Sequence, residues 1–106
     1  MLADFRGVPP DLLTDAQGLE RDLIAAAEAA GARVLSAHFH HFGDGAGVTG
    51  VVLLSESHIS IHSWPEHRFA ALDIFMCGAA RPEDALDFLR AALAPESVDV
   101  TTVARG

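Results

Sequence analysis

His58-Ile59-Ser60-Ile61-His62-Ser63-Trp64 is a short run in which isoleucine alternates with polar and aromatic residues, the pattern of a strand with two unlike faces. Successive side chains of a strand point to opposite faces, so Ile59 and Ile61 share one face while His58, Ser60, His62 and Trp64 share the other. One face is oily and the other carries chemistry.

Outward from this segment the split repeats. Leu72, Ile74 and Met76 oppose Asp73, Phe75 and Cys77, and Leu35, Ala37 and Phe39 oppose Ser36, His38, His40 and Phe42. The short, β-compatible apolar segments are Leu2 to Phe5, Arg33 to Phe42, Gly47 to Ser55, His58 to Trp64, Ala70 to Cys77 and Ser97 to Ala104. Two helical patterns separate them. Thr14 with Gln17 reads as a capping box, and Leu19, Leu23, Ala26, Ala27 and Ala30 follow at helical spacing until Gly31, which predicts a helix over Asp15 to Ala30. Pro82, then Glu83 and Asp84 against the helix dipole, opens a second helix whose stripe is Leu86, Leu89 and Leu93 and whose end precedes Pro95.

Two amphipathic helices suit the oily face. The other face still holds Trp64, Phe75 and Phe42, and Val48 to Leu54 is apolar on both sides, so water is a poor neighbour for it. The expectation is an α+β two-layer sandwich: a mainly antiparallel sheet, two helices on one face, and the other face packed on a second copy in a homodimer.

Composition narrows the class. With 106 residues, half of them hydrophobic, the chain suits one core and one domain, 1–106. A formal net charge of -8 opposes nucleic-acid binding. The longest apolar run, Val48 to Leu54, is far below the roughly 20 residues that span a bilayer. Met1 leads into no basic, apolar secretory segment, so a cytoplasmic protein without membrane partners is expected. Cys77 is the only cysteine, which excludes an intrachain disulfide.

The segment Glu56-Ser57-His58-Ile59-Ser60-Ile61-His62-Ser63-Trp64-Pro65-Glu66, followed by Ala71-Leu72-Asp73-Ile74-Phe75-Met76-Cys77-Gly78, closely resembles the signature of the small bacterial and archaeal S-adenosylmethionine decarboxylases. Phe39-His40-His41-Phe42 and Gly47-Val48-Thr49-Gly50 extend the likeness, so it covers the domain and not one loop. The resemblance implies a self-cleaving proenzyme whose cofactor is a covalent pyruvoyl group derived from Ser57. Cleavage would fall between Glu56 and Ser57, leaving a β chain 1–56 and an α chain 57–106.

Further roles follow from the same match. His62 and Thr49 correspond to the family's processing residues, and Cys77 to its proposed donor of the proton that replaces carbon dioxide. Glu66 would hold ribose hydroxyls, while Phe42 and Trp64 would contact the adenine or the sulfonium. The pyruvoyl carbonyl would take the substrate amine as a Schiff base and act as an electron sink, as pyridoxal phosphate does elsewhere. The product would be the aminopropyl donor for spermidine synthesis.

Each residue alone has an ordinary explanation. Ser57 would be a turn serine, His62 a hydrogen-bonded interior histidine and Cys77 an inert thiol. Alternate histidines 38, 40, 41 and 62 invite a zinc site, yet no acidic or Cys ligand stands beside them at a familiar spacing, so no metal is expected. His67-Arg68-Phe69 departs from the family's aromatic-Gly-aromatic run and would set a fixed cation near the pocket. That departure keeps a pyruvoyl-dependent decarboxylase of L-ornithine or L-arginine open as an alternative, and a non-catalytic regulatory homologue, from a different class, stands as a second.

Overall fold

A computed structural model describes residues 1–105. In chain order its elements are β1 (Leu2–Arg6), α1 (Pro10–Leu13), α2 (Ala16–Ala29), β2 (Val34–His41), β3 (Val48–Leu54) and β4 (Ser57–Trp64). A 3₁₀ turn (Pro65–His67), β5 (Phe69–Phe75), α3 (Pro82–Leu93) and β6 (Ser97–Thr101) complete it. The six strands form one antiparallel sheet in the spatial order β2-β3-β4-β5-β1-β6, which puts β4 and β5 at its middle.

Pleating sorts the side chains as the alternation predicts. Ile59 and Ile61 of β4, Leu72 and Ile74 of β5, Val48, Val52 and Leu54 of β3, and Ala3 and Phe5 of β1 are buried. Against them lie Leu19 and Leu23 of α2 and Leu86, Leu89 and Leu93 of α3, also buried. Each such large side chain contributes about 1.5–3 kcal/mol when removed from water. α2 packs on β2 and β3, while α3 packs on α2 and β5, so all helical cover lies on one face. No described helix is long and apolar enough to cross a membrane.

Several local expectations change. Asp15, not Thr14, caps α2: its carboxylate accepts from the Gly18 N–H at 3.0 Å. Pro10 starts the four-residue α1, which the sequence pattern did not announce, and Thr14 closes that helix by donating to Asp11 O at 3.3 Å. Thr14 is thus already used, and the cap moves one residue on.

Leu35 does not share the oily face with Ala37 and Phe39. A register shift between Val34 and Ser36 bulges the strand, so Val34 pairs with the buried Leu54 and Leu35 is left 60% exposed. β5 stops at Phe75 and β6 at Thr101, which places Cys77 and Ala104 beyond the strands expected to hold them.

Ser63 is the one buried polar residue among the described residues, and it fastens three elements. Its Oγ donates to Leu13 O at 2.7 Å and accepts from Val48 N–H at 2.9 Å. Ser63→Ala strands both backbone groups and should cost about 2 kcal/mol, seen as a melting temperature lower by roughly 10 °C in calorimetry. The neighbouring glycines answer to space: a methyl on Gly47 would strike the Ser63 carbonyl, and one on Gly50 would strike the Phe39 ring.

Candidate active site

The face without helices carries the residues singled out above, and the sheet register decides who meets whom. Thr49 of β3 stands directly opposite His62 of β4, and its Oγ1 shares a 2.6 Å hydrogen bond with His62 Nδ1. With Nδ1 engaged, Nε2 is the nitrogen left to exchange a proton. Trp64 lies edge-on to His62 at 4.3 Å between ring centroids, and Phe42 approaches from the other side at 6.2 Å. Phe42 is 56% exposed, with His40 against its ring at 4.7 Å. Glu66 follows on the 3₁₀ turn, exposed and two residues past Trp64. Thr49, His62, Phe42, Trp64 and Glu66 therefore gather at one end of β4.

Ser57 is at the other end. It opens β4 after the two-residue turn Ser55-Glu56, and its hydroxyl makes only a long contact to Ser55 O, 3.4 Å. Phe75 is paired with His58, so Cys77, two residues later, lies at this same end of the β4–β5 hairpin, with its thiol exposed. Glu56 has φ of 65°, a left-handed value that glycine and asparagine tolerate better than glutamate.

The five residue steps from Ser57 to His62 rise about 16 Å along the strand. Alternation also sets the two side chains on opposite pleats. Within one chain, then, the structure joins Thr49 to His62, while Ser57 and Cys77 share only the other end of the β4–β5 hairpin, and the two ends are not brought together.

Four further residues enter that the sequence pattern did not single out. Phe69 lies 5.2 Å from Trp64, and the Arg6 guanidinium sits 4.8 Å above the Phe69 ring. The cation beside the aromatic group is therefore Arg6. Arg68, expected there, instead donates from Nε to Val8 O at 3.4 Å and accepts the Val8 N–H at its own carbonyl. Asp73 is gripped by Arg105 at 2.9 and 3.3 Å, and the same guanidinium lies 4.6 Å above Phe75. Asp73 was legible as a face partner of Phe75; Arg105 was not, because nothing in a short tail shows where it folds back.

Between these residues the open face sinks into a depression of about 460 Å³, bordered by Thr49, Ser60, His62 and three carboxylates, Asp4, Asp73 and Asp99. Asp73 is held by Arg105 and Asp99 lies 3.5 Å from Arg6, so these two charges are already met, while the aromatic neighbours favour a flat or cationic guest.

Fold and site define an α+β sandwich enzyme that keeps its reactive side chains on an uncovered sheet face and at its rim. Over residues 1–106 the chain matches the family described as S-adenosylmethionine decarboxylase. It is 42% identical over 107 residues to the S-adenosylmethionine decarboxylase proenzyme of Methanococcus maripaludis strain C5, spanning 100% of this chain and 87% of that one. The proenzyme of Brevibacillus brevis is 48% identical over 104 residues, 97% of this chain and 77% of that one. The crystal structure of adenosylmethionine decarboxylase from Aquifex aeolicus VF5 matches with a TM-score of 0.84 at 37% identity, covering 92% of this chain and 81% of that one. The chain belongs to the S-adenosylmethionine decarboxylase family.

Proposed function

We propose that this protein decarboxylates S-adenosylmethionine with a pyruvoyl group made from Ser57, in sites that two copies of the chain build together. The observation that carries this reading is the Thr49–His62 hydrogen bond beside the Trp64 and Phe42 rings on the uncovered sheet face, in a chain of this family. The product is the aminopropyl donor for spermidine synthesis.

Ser57 fits as the source of the group. It begins a strand, follows a left-handed residue and shares its end of the sheet with the Cys77 thiol. When formed, a pyruvoyl group supplies a ketone that condenses with the substrate amine and draws off the electron pair left by departing carbon dioxide. The chain's own residues do the rest. Cys77 holds the proton that returns to the former α-carbon. Trp64 and Phe42 offer faces to the nucleoside or the sulfonium, and Glu66 offers carboxylate oxygens to the ribose hydroxyls.

Processing needs a proton shuttle at Ser57, and the His62 of the same chain is about 16 Å away along the strand. Two copies stacked sheet on sheet about a two-fold axis resolve this. The start of one β4 then faces the end of the other, which brings the Glu56-Ser57 peptide at the rim of each sheet up to the partner's His62 and Thr49. Such packing also covers Trp64, Phe69 and Phe75, which are only half-buried in one copy.

The tie between Arg68 and Val8 weakens the case for ornithine or arginine, which drew in part on Arg68 in the pocket. Fully processed protein offered S-adenosylmethionine, L-ornithine and L-arginine at equal concentration should release carbon dioxide from the first alone. Turnover of either amino acid without the sulfonium compound would overturn the substrate, and no turnover of any would favour a regulatory homologue.

A further inference from the structure

Among the described residues three non-glycine ones have left-handed backbones: Glu56 at φ 65°, Arg68 at 51° and Ala94 at 48°. Two have ordinary causes. Arg68 ends the 3₁₀ turn with its N–H on Pro65 O, and Ala94 ends α3 with its N–H on Arg90 O, and a left-handed residue is a common way to finish a helix. Glu56 finishes no helix. It is the second residue of the turn joining β3 to β4, and Leu54 and Ser57, which flank that turn, are already paired in the sheet. Glycine or asparagine is the usual occupant of such a position, because a side chain there crowds the backbone. Here the strained residue is the one whose carbonyl Ser57 must attack.

Building on the reading that Ser57 is the cleavage site, we infer that Glu56 is a positioning residue whose left-handed backbone stores strain in the uncleaved turn and releases it on scission. Strain held at a reacting peptide and lost in the product favours the reaction. In the first step a bond forms from Ser57 Oγ to the Glu56 carbonyl carbon, the C–N bond to Ser57 breaks, and the hydroxyl proton ends on the freed nitrogen. In the second, Ser57 loses its α-proton, the Cβ–Oγ bond breaks, and Glu56 departs as a carboxylate. The residual enamine tautomerises to an imine, and water hydrolyses it with loss of ammonia. No oxidant is needed. Glu56 is then a chain end, and nothing compels its φ to remain positive.

Replacing Glu56 tests the idea by ranking residues on their tolerance of the left-handed region. Glu56→Gln removes the charge and keeps the penalty, Glu56→Asn lowers the penalty, and Glu56→Gly abolishes it. Cleavage of freshly purified chains, followed by mass spectrometry, should be fastest for Gln, intermediate for Asn and slowest for Gly. The Gln-to-Gly ratio should be about tenfold, the factor into which a left-handed penalty converts. A second measurement removes the chemistry altogether. In uncleavable Ser57→Ala protein, and again in His62→Ala protein, adding Glu56→Gly should raise the melting temperature by about 4 °C or more, because strain is relieved. A role for the Glu56 carboxylate alone predicts a slow Gln variant and no such rise. Glycine cleaving as fast as glutamine, or leaving the melting temperature unchanged or lower, would overturn the inference. If instead the unmodified chain never cleaves, it is the Ser57 cofactor reading that fails.

Discussion

Chains carrying Ser57→Ala and chains carrying His62→Ala, each inert by itself, should recover cleavage when co-expressed. In a two-fold dimer the intact Ser57 of one chain meets the intact His62 of the other at one site, while the second site lacks both. Random mixing makes half the dimers mixed and one site in two functional, so recovery should approach about a quarter of the unmodified level. The His62→Ala chain alone should process about 10²- to 10⁴-fold more slowly, the usual cost of a lost acid–base group. Two affinity tags isolate the mixed dimer, and gel separation of the two cleavage products measures the result. An isolated mixed dimer that stays uncleaved would show that Ser57 and His62 act within one chain, against the geometry that holds them at opposite ends of β4.

Cys77→Ala separates the two stages of the chemistry. Its thiol lies beyond the end of β5 and beside the start of β4, with no contact to the Thr49–His62 pair. The variant should therefore cleave at the normal rate. Decarboxylation should fall by about 10²- to 10⁴-fold, since protonation of the α-carbon loses its positioned donor. Misplaced protonation would divert the bound substrate into transfer of its amino group. Product analysis by mass spectrometry reads both effects, and unchanged turnover with unchanged product would remove Cys77 from that role.

Much of this was legible in the residues themselves. Period-two alternation sorted Ile59, Ile61, Leu72 and Ile74 from His58, Ser60, His62 and Asp73, because a pleat leaves a side chain only two directions. The stripe Leu86, Leu89 and Leu93 marked α3 for the same kind of reason. Chemistry came from the motif, which names residue types but not their distances. Hence Ser57 and His62 looked like one constellation although the sheet keeps them apart. Leu35 was misread because a single bulged residue inverts every assignment on its far side. The contact of Arg6 with Phe69 escaped notice because a cation over a ring depends on which strands become neighbours, here β1 and β5, which are far apart in the chain.

A mass spectrum of the purified, prolonged-incubated protein decides whether Ser57 becomes the cofactor. Two species should appear, residues 1–56 and residues 57–106, the second blocked at its amino terminus by a pyruvoyl group in place of serine. A single intact chain that still carries an unmodified Ser57 would contradict that conversion.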